Sequence, residues 1–571
     1  MTKTRSFIGG LAVLSLLTAT VATAADQAEP SLSITLSPMM KEGSIVGLAV
    51  EQAIEGVRAD ASTPLFQMPL VTHNVPTVAS SLQALTARDA QGPVALTSRD
   101  EGDGPAKVRR WFPDRAVTGT VHARYETTQA NVLAPLGAAP PIEMRIEGGA
   151  MSGGAAILAL RPVVPSVSLS IRWDLSESPG DLGVDSLAGQ TKSNVPPSML
   201  DQVFLMAGQL GRHPAERNAL GFQAVWQDEP PFDAASLMQW TERLHADYVR
   251  FFQANPEPYT VFLRRNLVNA GGGIGMSRSF VTTFGNRGQG DDPQDLKFTL
   301  AHEMFHTFQP RLSGQEGLAG SWFNEGMAVF YQRVLPFRSG LIDAEAFLED
   351  LNFHAARYYT NALGNAPNSE VSARFWEDTR IRTLPYDRGF LYFATVDEAV
   401  RNKSNGKRSL DHLMLQMKAR EKANQPVTVE AWEAALRDEL GEAGVKSFRA
   451  MLAGSAPLPG SDAFGPCFKR ISKQMRRYEL GFAPKALTES PRKVRGLIAG
   501  SAAERAGLRN GDEITQPVPQ DDIQGRQDRL LKLQINRDGK PLTVEYLPRS
   551  ESVATWQWER VPDVPAAQCA R

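Results

Sequence analysis

The chain has 571 residues, with 61 Lys plus Arg against 63 Asp plus Glu and a formal net charge of −2. That length suffices for about three or four domains, each with its own apolar core. The balanced charge gives no reason to expect nucleic acid or an anionic membrane as a partner, and with two Cys in all and no Cys-His finger spacing a Cys-ligated zinc site is not expected.

The first residues carry Lys3 and Arg5, then an apolar run from Phe7 to Val21 ending in Ala22-Thr23-Ala24. A basic start, an apolar core and a small-x-small end read as a signal peptide over 1–24, cut after Ala24. A retained membrane anchor is the alternative. The mature protein is expected to be exported, to the periplasm, with no later run long enough to span a bilayer.

Residues 25–195 hold short alternating segments such as "SLSITLSP" and "SVSLSIRWDL". Period-two alternation with β-branched residues predicts an antiparallel, sandwich-like β domain. "APLGAAPP" and "EGGAMSGGAA" read as loops within it.

The pattern changes over 196–460. "FDAASLMQWTERLHADYVRFFQANP" predicts an amphipathic helix capped by Asp233 and stopped by Pro256. "YTVFLRRNLV" and "SFVTTFG" read as strands around the glycine turn "NAGGGIGMSRS", and helices dominate after them. The stretch "GSAPLPGSDAFGP" reads as a linker, and 461–571 return to short strands and turns. Cys467 and Cys569 flank that last part and could pair or remain free thiols.

Within the helical region stands "KFTLAHEMFHTFQP". Asp292 and Pro293 suit the N-cap and first position of a helix running to about Phe308, ahead of Pro310. His302 and His306 are four apart, so their imidazoles leave the same helix face one turn apart. That spacing lets two neutral nitrogens share a tetrahedral Zn²⁺, while Glu303 is placed to act on water rather than on the metal. A third ligand is needed. Glu325, in "GSWFNEGMAVFYQRV", lies nineteen residues after His306 in a second helical pattern. A reversal through "RLSGQEGLAG" would bring it back to the two imidazoles. Otherwise the His residues are core residues of an apolar helix and Glu325 is a solvated charge.

HEMFH followed by "WFNEGMAVFY" resembles the gluzincin metallopeptidases, and fits their glycyl aminopeptidase-like family. That resemblance implies a multidomain α+β protein. It would join the N-terminal β-rich domain to a thermolysin-like, mainly helical zinc peptidase domain and a C-terminal PDZ domain. It implies one Zn²⁺ per chain on His302, His306 and Glu325, Glu303 as general base, and peptides or unfolded protein segments as substrates. "LPYDRGFLYF" resembles the family's Tyr-x-Lys-Gly stretch, which gives Tyr386 the role of oxyanion donor. "VRGLIAGSAAERAGLRNGDEI" resembles a PDZ domain, with Leu480, Gly481 and Phe482 in the loop that would receive a C-terminal peptide.

One departure bears on activity. The family's glycine-rich substrate strand ends Gly-Gly-Leu-Glu-His, and its Glu is expected to hold a substrate's free amine. Here Gly271, Gly272 and Gly273 are followed by Ile274 and Gly275, and Gly275 stands in the place of that Glu. Resemblance therefore favours an aminopeptidase and Gly275 an endopeptidase. A non-catalytic, PDZ-containing peptide-binding or quality-control protein and a hydrolase of non-peptide amides or esters are further alternatives. Nothing in the sequence sets the oligomeric state.

Overall fold

The computed structural model describes residues 29–73, 75–82, 84–104, 107–129, 141–178, 181–266, 270–285, 292–516, 518, 520–565 and 568–569. The expected signal peptide and nearly all of "APLGAAPP" lie outside the described residues.

Strands Ser31–Lys41 and Ser44–Glu55 form a long hairpin in which alternate residues face inward. They sit in a seven-stranded sheet flanked by Val167–Trp173 and Val121–Thr127. Two smaller four-stranded sheets share its apolar core. The expected all-antiparallel arrangement does not hold at the centre. Ser31–Lys41 and Val167–Trp173 pair in parallel, Ser31 opposite Ser168. Alternation fixes which face of a strand is buried and is blind to strand direction. "EGGAMSGGAA" is not a loop throughout: Ala150–Gly154 is a fully buried strand paired with Phe204–Gly208. Its small residues allow close packing, since a Cβ on Gly154 would stand 3.1 Å from Ile142 Cβ.

A five-stranded sheet follows, in the order Leu210–His213, Phe222–Gln227, Tyr259–Arg265, Ser279–Phe284 and Gly273–Met276. Its central pairs are parallel. The crossover is helix Ala234–Phe251, whose N-cap Asp233 accepts from Ser236 N–H. Val281 and Met276 face the N-terminal core, while Phe280 and Phe284 face the helical core. The sheet thus joins the two cores, and among the described residues its edge strand Gly273–Met276 keeps one unpaired side.

Helices Pro293–Phe308, Ser321–Arg338, Ala344–Tyr359 and Leu384–Lys403 build the second core. Among the described residues no helix is long and apolar enough to cross a membrane. The Pro/Gly-rich stretch after residue 453 is no free tether. Ala463, Phe464, Phe468 and Trp558 join the helical core, and Cys467 pairs with Cys569 there, Cα–Cα 5.1 Å. The ribbon of Phe468–Tyr478 and Arg549–Arg560 is anchored on the Ala344–Tyr359 helix. There Asn352 exchanges two 2.8 Å hydrogen bonds with the backbone of Trp558. Each such buried aromatic contributes on the order of 2–3 kcal/mol, so ribbon and helices stabilise one another. Beyond the ribbon, residues 478–546 form a third core around strands Leu531–Arg537 and Lys540–Tyr546. Leu480 and Phe482 are buried in it, and Gly481 takes φ +88°.

Candidate metal and catalytic site

The Pro293–Phe308 helix starts where Asp292 accepts from Gln294 N–H at 2.7 Å, and ends at Gln309, before Pro310. Leu296, Leu300, Met304 and Phe305 hold it in the core. The other face presents His302 and His306, with Nε2 atoms 3.1 Å apart and rings nearly perpendicular, at 87°.

The Ser321–Arg338 helix returns beside it. Glu325 Oε2 lies 3.1 Å from His302 Nε2 and 3.3 Å from His306 Nε2. The three donor atoms fall within 4.8 Å of one another, close enough to hold one metal ion. Tyr386 comes from the Leu384–Lys403 helix through a glycine contact. A Cβ on Gly326 would stand 2.5 Å from Gly389 Cα, and one on Gly389 only 2.6 Å from Trp322 O. The two helices therefore touch backbone to backbone, one residue after Glu325 and three after Tyr386. The Tyr386 ring stacks on His302 at 6.0 Å and 22°.

Behind the imidazoles is a layer that sequence reasoning missed. Gln332 Oε1 lies 3.0 Å from His302 Nδ1, and Gln332 Nε2 donates to both oxygens of Asp350 at 3.1 and 3.2 Å. Gln309 lies 2.6 Å from His306 Nδ1. Deeper still, Asp387 takes His354 and Arg357, each at 2.7 Å. Burial alone would raise the Asp387 carboxyl, but the Arg357 guanidinium and His354 hold it low. The one sequence signal was helical spacing: Gln332 is seven residues after Glu325 and Gln309 three after His306.

This layer tests whether the donors suit a metal. An oxygen acceptor at Nδ1 keeps the proton there and leaves the Nε2 lone pair for a ligand bond. Gln332 gives His302 that arrangement. For His306, Gln309 Oε1 is buried without a partner among the described residues while its amide nitrogen meets Nδ1. Turning the amide over, an assignment hydrogen bonding alone decides, satisfies Oε1 and fixes the same tautomer. Two neutral imidazoles and a carboxylate are a donor set suited to Zn²⁺. Burial would push the Glu325 carboxyl up, yet the His306 and His302 imidazoles hold it well below the usual range. The same pairing lifts His306 against the pull of its burial.

Glu303 is half-buried and points at the edge strand: a Cβ on Gly275 would stand 3.3 Å from Glu303 Oε2. Gly271 and Gly272 bond Thr283 across the hairpin, and a Cβ on Gly273 would stand 2.3 Å from the Phe280 ring. Their contacts shape the hairpin, and Gly275 is the glycine of the four that borders the cleft. Burial, then the Glu325 and Glu303 carboxylates, raise the Tyr386 hydroxyl well above its ordinary value, so it is a proton donor at neutral pH. The cleft has two chambers that share Glu303 and Tyr386. The larger, about 590 Å³, is bordered by Gly275, Arg278, His306, Arg311, Asn324 and Glu325. The smaller, about 350 Å³, is bordered by Asp295, His302, Gln332, Thr383, Asp521 and Arg526.

Residues 296–384 match the model of the M61 glycyl aminopeptidase family. That span holds His302, Glu303, His306 and Glu325 and stops two residues short of Tyr386. None of the curated protein sequences matches the chain. Among solved structures, an aminopeptidase N family protein from Idiomarina loihiensis is similar at 16% identity and TM-score 0.64, over 93% of this chain and 98% of its own. An M1 zinc metallopeptidase from Deinococcus radiodurans gives 17% identity and TM-score 0.44, over 75% and 94%. The first likeness is one of fold across nearly the whole chain. The family match supports a peptidase.

Proposed function

We propose that this protein is a zinc-dependent metallopeptidase, with His302, His306 and Glu325 as ligands, Glu303 as general base and Tyr386 as oxyanion donor. The observation that carries the reading is the convergence of these five side chains from three helices on the wall of one cleft. Zinc, when bound, supplies a Lewis acid that polarises the scissile carbonyl and eases deprotonation of water. The Gln332 and Gln309 amides orient the two imidazoles toward the ion. Glu303 takes a proton from the attacking water and returns it to the leaving amine. The Tyr386 hydroxyl, kept protonated, donates to the oxygen on which charge develops. The unpaired side of Gly273–Met276 offers backbone groups to an extended peptide.

The chamber bordered by Gly275 bears on whether a substrate's free N-terminal amine is held. Its carboxylates among the described lining residues are Glu303 and Glu325, which this reading assigns to the general base and a metal ligand, and it also carries Arg278 and Arg311. An ammonium there would have no carboxylate free of those roles to pair with, which is unfavourable once water is displaced. Strict dependence on a free N-terminal amine is therefore not expected, whichever bond is cut. A matched peptide pair, free and N-acetylated, is expected to differ in kcat/KM by no more than about tenfold, roughly 1.4 kcal/mol. A preference for the free amine of about a hundredfold or more would restore the aminopeptidase.

The last unit is read as a PDZ domain whose Leu480-Gly481-Phe482 loop receives a C-terminal peptide and recruits substrates. The amino-terminal Lys3–Ala24 stretch supports export to the periplasm.

A further inference from the structure

The smaller chamber is not built by the helical domain alone. Helix Gln520–Gly525, from the last unit, lies along it, and Asp521, Asp522 and Arg526 border it. The segment is held on three sides. Asp521 accepts from Arg382 Nη2 at 2.7 Å and bonds Thr379, at the foot of the helix that carries Tyr386. Arg526 reaches Asp295 at 3.1 Å, on the helix that carries His302, and lies over the Phe353 ring at 5.5 Å. From behind, the buried Arg549 donates to the carbonyls of Ile523 and Arg526, both at 2.7 Å. Gly525 permits the docking, because a Cβ there would stand 2.4 Å from Phe353 Cε2.

A second observation marks the chamber as a place for a ligand. Thr383, 1% exposed, lines it with a buried hydroxyl that has no protein partner among the described residues. Such a group is unfavourable unless something bonds it. The chamber's volume, about 350 Å³, lies at the small end of ligand pockets, roughly 300–1,000 Å³. It has room for one or two residues of a peptide.

We propose that residues 520–526 are the end wall of this chamber and limit how many substrate residues fit there. The inference rests on the peptidase reading and deepens it: the preferred substrate is a peptide with one or two residues on that side of the cut bond. Arg526 is the specificity-determining side chain, since it spans from the last unit to Asp295.

Two peptide series test this on the full chain, one lengthened beyond the cut bond and one lengthened before it. In one series the wild-type protein should lose about tenfold or more in kcat/KM once two residues are exceeded. Arg526→Ala should bring that loss to within about threefold, and Arg526→Lys should restore part of it. An equal loss at every length in Arg526→Ala would make the segment a merely structural support and overturn the proposal. So would a wild-type protein indifferent to length in both series. Peptide affinities measured in the Glu303→Gln background read the wall without turnover. A length limit in binding that Arg526→Ala relieves supports the wall even if the protein cuts no peptide, whereas that silence would sink the peptidase reading. A binding profile unchanged by Arg526→Ala overturns the wall whatever the turnover.

Discussion

Glu303→Gln is expected to keep a full equivalent of zinc and to lose about 10²–10⁴-fold in kcat, the usual worth of a positioned general base. Glu303 is adjacent to a proposed ligand yet stands apart from the three donor atoms that converge, and its carboxylate is directed at Gly275 on the edge strand. Glutamine preserves the size of the side chain and most of its hydrogen bonding, so the helix and the ligands should be undisturbed. What it loses is the capacity to accept a proton at neutral pH. The measurement is metal content and turnover on the same preparation. Near-normal turnover with normal zinc would remove Glu303 from the chemistry, and loss of zinc would make it a ligand.

His302→Ala is expected to abolish stoichiometric zinc and with it all measurable turnover. The substitution removes more than one ligand atom. It leaves Gln332 Oε1 without its imidazole and removes one of the two rings that hold the Glu325 carboxyl low. Even changes to the groups behind metal ligands cost about 10–100-fold in affinity, so loss of a ligand together with its support should cost more. Gln332→Ala should therefore fall between the wild type and His302→Ala. Equilibrium dialysis with zinc separates the three. A His302→Ala protein that retains a full equivalent would place the ion elsewhere.

Much of this site was legible because its residues obey short-range rules. The cap at Asp292, the i, i+4 histidines and the apolar face of the helix are local, and the folded chain has a helix with those ends. Glu325 could be paired with them because one reversal joins two helices. The network behind them could not be read, because Gln332, Asp350, His354 and Asp387 come from three helices whose packing is set by long-range contacts. The Gly326–Gly389 contact is similar: each glycine alone suggests only a permissive backbone. Strand direction in the N-terminal sheet was lost for another reason, since Ser31–Lys41 alternates identically whether its partner runs parallel or antiparallel. The linker reading failed to foresee the packing because its Pro and Gly residues outweighed Ala463 and Phe464, which the fold buries.

The most direct test of the central claim is product mapping by mass spectrometry on a mixed peptide library. The full-length protein would be compared as zinc-loaded, chelator-treated and zinc-restored preparations. Peptide-bond cleavage that disappears with the metal and returns with zinc is the predicted result. An intact library after incubation with folded protein carrying a full equivalent of zinc would contradict it.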